Sequence, residues 1–369
     1  MKFTISREAL LKPLTLVAGV VERRQTLPIL ANIMLVLDGK QLSITGTDLE
    51  VELVGRLTLE GDPEASGEIT IPAKKLLDIC KSLPDSSNIE IATDDQNRVV
   101  VKAGRSRFTL SSLPAKDFPN VEEGPGSQHF VIRQGDLKRL IDRTAFAMAQ
   151  QDVRYYLNGM LLEVSAGQLR VVSTDGHRLA MCTLNGNIQC GGTLQVILPR
   201  KGVIELARLM TNDDGEVEVV IGANHVRAST REFIFTSKLV DGKFPDYARV
   251  LPNSSSKIVL GRREELRQAF GRASILSNEK YRGVRMNLSD GNLQIVANNP
   301  EQEEAEETVA VEYSGKELEI GFNVSYLMDV LAVLDSEKVK LSLSDASSSV
   351  LIEDADGSDS VYVVMPMRL

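Results

Sequence analysis

A hairpin that occurs three times constrains this chain more than any other feature. Residues 30–48 read LANIMLVLDGKQLSITGTD, residues 157–175 read LNGMLLEVSAGQLRVVSTD, and residues 281–299 read YRGVRMNLSDGNLQIVANN. Each is an alternating strand, a turn with glycine, and a second strand that ends in a polar pair. Asp48, Asp175 and Asn299 stand 127 and 124 residues apart, close to one third of the 369 residues. The expected starts of a later helix in each repeat, Pro72, Pro199 and Asn323, keep the same two spacings, and Phe118-Pro119-Asn120 returns as Phe244-Pro245-Asp246. Features sharing one register specify three units, with boundaries in Gly-, Ser- or Pro-rich stretches: 1–125, 126–253 and 254–369.

Each unit reads as two βαβββ halves, so the expected class is α+β with mostly antiparallel sheets. Helices are predicted over 6–21, 72–84, 133–150, 199–210, 262–276 and 323–334, with Pro13 a kink in the first. The opening MKFTISREALLKPL reads as the start of an amphipathic helix, not a signal peptide, and no apolar run approaches the length of a membrane span. Cys80, Cys182 and Cys190 are odd in number and lack metal-ligand spacing. No metal or cofactor is expected, and the cytoplasm is the simplest compartment.

Charge separates the candidate functions. The six helical segments together carry +8 inside a chain of formal net charge −9, which leaves −17 on the remainder. Five of the six are basic, which suits one positive surface on an otherwise acidic protein that holds a polyanion. For any one helix the alternative is lysine and arginine on a solvated face. The most catalytic-looking cluster is Asp175, His177 and Arg178. Yet the third repeat has Asn298 and Asn299 there, the histidines are only His129, His177 and His225, and no phosphate loop or nucleophile elbow occurs. A single-strand nucleic-acid binder or another repeat scaffold is a further alternative; retention on circular but not linear duplex discriminates.

The segments TLPILANIMLVL, TGTDLEVEL, GRSRFTLSSLPAKDFPN, QDVRYYLNGM, STDGHRLA, PRKGVIEL, FIFTSKLVDGKFPDY, ILSNEKYRGVR, ANNPEQEEAEE, GFNVSYLMDVL and VYVVMPMRL resemble, over the whole length, the bacterial sliding clamps, the beta subunits of DNA polymerase III. The resemblance implies three domains of the DNA clamp fold and a ring formed as a head-to-tail homodimer, with twelve helices lining its hole. It implies a protein without catalysis that slides on double-stranded DNA and tethers the polymerase catalytic subunit, the clamp loader, other polymerases and repair proteins through short linear motifs, away from any membrane. Twelve helices about 10 Å across enclose a hole of roughly 28 Å, wider than a duplex of roughly 20 Å. Contacts across it fall on phosphate and ignore sequence.

By the same resemblance, Arg24, Lys74, Gln151, Tyr155, Tyr156, Arg200 and Lys201 contact DNA; packing is the alternative for the tyrosine pair. The dimer seam sets Phe108 and Leu110 against Ile275 and Leu276, flanked by ion pairs from Arg105 and Arg107 to Glu301, Glu303 and Glu304. The partner groove is built from Arg154, Tyr156, Leu157, Thr174, Gly176, His177, Arg178, Pro245, Arg249, Val250, Ser349, Met365, Pro366, Met367 and Arg368. Methionine is flexible and polarisable, so a Met-lined groove accommodates several peptides. Ser347 replaces an aliphatic residue of some relatives, which leaves its part in the groove open. Val361 and Val363 read as the last core strand.

Overall fold

The structure, a computed structural model, describes residues 1–21, 27–94, 96, 98–121, 126–211, 213–252 and 255–368. Among these residues the order β-α-β-β-β occurs six times, through 24 strands and the helices α1 (Arg7–Ala18), α2 (Ala73–Ser82), α3 (Gln134–Asp142), α4 (Arg200–Leu209), α5 (Arg263–Ala273) and α6 (Val324–Val333). The βαβββ halves read from the sequence are therefore present.

Local chemistry explains the helix ends. Ser6 Oγ accepts from the Ala9 N–H at 3.3 Å and caps α1, whose Leu10, Leu14 and Val17 are fully buried along one face. Pro13 lies within this helix and is itself buried. Asn323 caps α6 by accepting from the Ser325 N–H at 2.9 Å. Pro72 precedes α2 instead of opening it. Helices α3 and α5 stop short of their predicted ends in 3-10 turns. The Thr144 hydroxyl donates to Leu140 O at 2.7 Å just beyond α3, and the Ser274 hydroxyl to Gly271 O at 2.7 Å just beyond α5. Such hydroxyls compete for the last carbonyls, and each helix gives way to a short 3-10 turn, Ala145–Ala147 and Ser274–Leu276.

The predicted helical N-terminus is corrected: Lys2–Ser6 is a strand with Phe3 and Ile5 buried, and α1 follows it. Gly126–Arg133 and Lys257–Arg262 open the other repeats in the same way. The acidic run 301–307 supplies the start of the strand Glu304–Ala310, paired with Asn292–Asn298.

Compactness groups the chain into two units, residues 1–135 with 201–239 and residues 136–200 with 240–369. The first unit holds a four-stranded sheet in the order Lys2–Ser6, Asn88–Thr93, Val99–Ala103, Ser106–Leu110. It also holds an eight-stranded sheet whose halves join where Val51–Thr58 pairs with Phe233–Lys238, Phe233 opposite Gly55. In the second unit an eight-stranded sheet joins where Arg178–Asn185 pairs with Ser360–Val364, Arg178 opposite Val364. A four-stranded sheet there ends on Glu304–Ala310. All of these pairings are antiparallel. A core of buried side chains including Phe270, Phe322, Leu327 and Tyr362 fills the second unit beneath α5 and α6, which pack on each other.

Candidate functional site

The polar corner Thr174–Arg178 is a hydrogen-bonded turn. Asp175 Oδ1 accepts from the His177 and Arg178 N–H groups at 2.9 and 3.0 Å, the Thr174 hydroxyl donates to Arg178 O at 2.6 Å, and the Gly176 N–H donates to Thr174 Oγ at 3.1 Å. Gly176 takes φ +89°, where a side chain is strained. Arg178 is then fastened on every side. Its guanidinium bonds Asp175 Oδ2 at 3.1 Å, Asp329 of α6 at 2.5 Å and Phe146 O at 2.8 Å, and lies 4.4 Å from the Tyr326 ring centroid. The chain end is laced to this turn, since the Met365 N–H donates to His177 O at 2.9 Å and the Met367 N–H to Gly321 O at 2.9 Å.

Between the turn, the loop before it and the chain end lies a cleft of about 210 Å³. Ten residues expected there line it: Arg154, Tyr156, Leu157, Thr174, Gly176, His177, Arg178, Pro245, Val250 and Met365. Five do not: Arg249 is exposed and ion-paired with Asp246 at 2.8 Å, while Ser349, Pro366, Met367 and Arg368 lie outside the lining. Ser347 is turned onto Asp345, which its N–H and hydroxyl bond at 2.8 and 2.7 Å. Leu179, Tyr247 and Val363 also line the cleft, although the sequence analysis did not select Leu179 and Tyr247 and assigned Val363 only to the core. Each is buried, so each serves as floor and core together. The signal for Tyr247 was its place two residues beyond Pro245. Its hydroxyl donates to Glu163 Oε1 at 2.7 Å, and burial pushes its pKa up, so it presents a neutral phenol.

The loop that carries Arg154 is rigidly bonded. Asp152 Oδ1 accepts from Arg154 Nε at 3.0 Å and from the Arg154 N–H at 2.8 Å, and Oδ2 accepts from Nη2 at 2.8 Å. These side-chain and backbone donors hold the Asp152 carboxyl at about 2. Gln151 stands at φ +55°, Tyr155 is 57% exposed with its ring 5.8 Å from that of Tyr156, and Val153, not selected from the sequence, is 95% exposed. Arg200 is half-buried beside this loop, its N–H donating to Asn158 O at 2.9 Å. Among the other expected DNA contacts, Lys74 is exposed on α2, whereas the Lys201 ammonium is held by the buried Asp48 carboxylate. Arg24 lies outside the described residues.

Two of the strands that edge their sheets among the described residues are Ser106–Leu110 and Glu304–Ala310. Ser106–Leu110 pairs only with Val99–Ala103, and Glu304–Ala310 only with Asn292–Asn298. Arg105 and Arg107 are exposed and Phe108 is half-buried, but Leu110 is buried within the protein and belongs to its own core. Ile275 is 75% exposed, a high value for an isoleucine, with Leu276 half-buried next to it. Glu301, Glu303 and Glu304 are exposed, and Glu303 bonds Asn299.

Residues 1–122, 131–246 and 248–368 match the models of the N-terminal, central and C-terminal domains of the DNA polymerase III beta subunit. A beta sliding clamp of Pseudomonas aeruginosa is 68% identical over 369 residues, and that of Escherichia coli K12 54% identical over 372, each comparison covering the whole of both chains. The chain belongs to the beta sliding clamp family. The crystal structure of the Pseudomonas aeruginosa clamp bound to griselimycin superposes with a TM-score of 0.97 at 68% identity, and that of Caulobacter crescentus pol III beta with 0.93 at 38%, all of both chains being covered in each case.

As a sliding clamp the protein is a non-catalytic processivity factor of DNA replication. The Asp175, His177 and Arg178 cluster thus has a structural explanation, a turn whose carboxylate is consumed by backbone N–H groups and a guanidinium. Among the described residues no group of three or more His, Cys, Asp or Glu side chains is placed to hold a metal, and no helix is long and apolar enough to cross a membrane.

Proposed function

We propose that two copies of this clamp close head to tail around double-stranded DNA in the cytoplasm, and that the cleft beside Thr174–Arg178 holds the linear motifs of polymerases, the clamp loader and repair proteins. The observation that carries the ring is the repeated strand junction. The third strand after α1 pairs with the strand that closes the second repeat, and the third strand after α3 with the strand that closes the third. By the same rule the third strand after α5, Glu304–Ala310, pairs with the strand closing a first repeat, Ser106–Leu110, and a second molecule supplies it. Exposed Ile275, with Leu276 and Phe108, is the apolar patch at that seam, and Arg105 and Arg107 meet Glu301, Glu303 and Glu304 with an effect on orientation and on-rate more than on affinity. The three domains divide near residues 125 and 253. The exposed Tyr155, with Gln151, Lys74, Arg200 and Lys201, touches the duplex.

The test is gel filtration on nicked circular and linear plasmid. The wild-type protein, loaded by its clamp loader, co-elutes with circles and is lost when they are linearised. The double variant Ile275→Ala, Leu276→Lys runs at monomer mass with unchanged circular dichroism and stays on neither. A variant that remains dimeric places the seam elsewhere.

A further inference from the structure

The turn that builds the cleft has a second copy in the other unit, down to its hydrogen bonds. The Thr47 hydroxyl donates to Val51 O at 2.9 Å, the Leu49 N–H to Thr47 Oγ at 3.1 Å, and the Glu50 and Val51 N–H groups to Asp48 Oδ1 at 2.9 and 2.7 Å. The Lys238 N–H donates to Glu50 O at 2.8 Å, as Met365 does to His177 O. Beside this second turn lies a cavity of about 400 Å³.

Its chemistry differs at two corresponding positions. Where the cleft has Met365 this cavity has Lys238, whose exposed ammonium has no ion-pair partner among the described residues. The Asp48 carboxylate of the turn is already taken by Lys201, and Glu52 is engaged by the Val121 N–H. Where the cleft has Gly176 this cavity has Leu49, held at φ +78°. Glycine holds the same turn without strain, whereas a bulky residue in this region is a backbone outlier of the sort found at binding sites. Leu49 lines the cavity with Pro119, Val121, Asn120 and Asn224, the Asn224 amide oxygen lying 2.9 Å from His225 Nδ1.

We propose that this cavity is a second peptide site, taking an extended partner segment in which an aspartate or glutamate neighbours an aliphatic residue. The carboxylate meets Lys238, the aliphatic side chain packs on Leu49, Pro119 and Val121, and the two asparagine amides bond the peptide backbone. The proposal borrows from the cleft reading only its peptide-binding frame.

The experiment is methyl NMR of the full-length clamp titrated with an acetylated, amidated hexapeptide of alternating aspartate and leucine. Saturable shifts are expected at the Leu49 and Val121 methyls, weakened about tenfold by Lys238→Met and by replacing the peptide's aspartates with asparagine. Leu49→Gly should weaken binding without lowering Tm, which separates a contact from a structural role. A polymerase C-terminal peptide titrated into the same variants should keep its wild-type affinity for the cleft, so that failure of either site is read independently. The proposal is overturned by the absence of saturable shifts, by shifts that survive Lys238→Met unchanged, or by inorganic phosphate reproducing them.

Discussion

Two turns with one backbone, Thr174–Arg178 and Thr47–Val51, sit beside two cavities of different chemistry. In the first the aspartate holds Arg178, which reaches out to Asp329, Phe146 and Tyr326. In the second the corresponding position is the buried Val51, and Asp48 instead receives Lys201 from α4. A threonine, an aspartate and three N–H groups suffice for the frame. What the frame presents depends on side chains delivered by distant elements. The third copy makes the same point: Asn299 bonds Glu303 in the link between Asn292–Asn298 and Glu304–Ala310, and no closing strand of the chain lies against it among the described residues.

The comparison can be broken most forcefully at Arg178. Arg178→Ala strands a largely buried Asp175 and empties the space over Tyr326, and should lower unfolding stability by about 2–4 kcal/mol. Val51→Ala at the corresponding position removes buried methyls alone and should cost about 1–2 kcal/mol. Urea denaturation of both measures the gap; equal losses would mean that Arg178 is no keystone of its turn.

A smaller effect comes from exchanging the residues at positive φ. Gly176→Ala places a Cβ in the left-handed region, 2.9 Å from the Arg154 guanidinium, and should cost about 1–2 kcal/mol. Leu49→Gly should be neutral or stabilising by up to about 1 kcal/mol, since it relieves the strained backbone. A clear loss of Tm in Leu49→Gly would show that its side chain supports the fold.

The smallest effect is one of pH and sharpens the cleft side. The Asp152 carboxyl is depressed from 3.8 to about 2 by Arg154, so the folded state prefers its ionised form. Its contribution is present above the unfolded value and is lost as pH falls from about 4 through about 2. The Asp152 carboxyl carbon, followed by NMR, should titrate near 2 in the wild type and nearer 3.8 in Arg154→Met. A wild-type midpoint near 3.8 would dissolve the proposed bracing of the cleft wall.

Much of this was legible in the chain itself. The threefold register, the βαβββ order, the helix starts next to Pro72, Pro199 and Asn323, and the Thr-Asp turns all rest on interactions within a few residues, which leave periodic or positional marks. Ten of the cleft's residues followed from family resemblance, and the turn itself from its residue types. The opening strand Lys2–Ser6 was missed because five residues beside an amphipathic helix carry too little alternation to be told from its first turn. Tertiary structure alone decided that this strand pairs with Asn88–Thr93 of the other half, that the second repeat's strands enter two different eight-stranded sheets, that Lys201 answers Asp48, and that Tyr247 and Val363 floor the cleft. Each is a contact between residues far apart in the chain. Burial and hydrogen bonding select such pairs only when whole sheets assemble, and no local spacing records them.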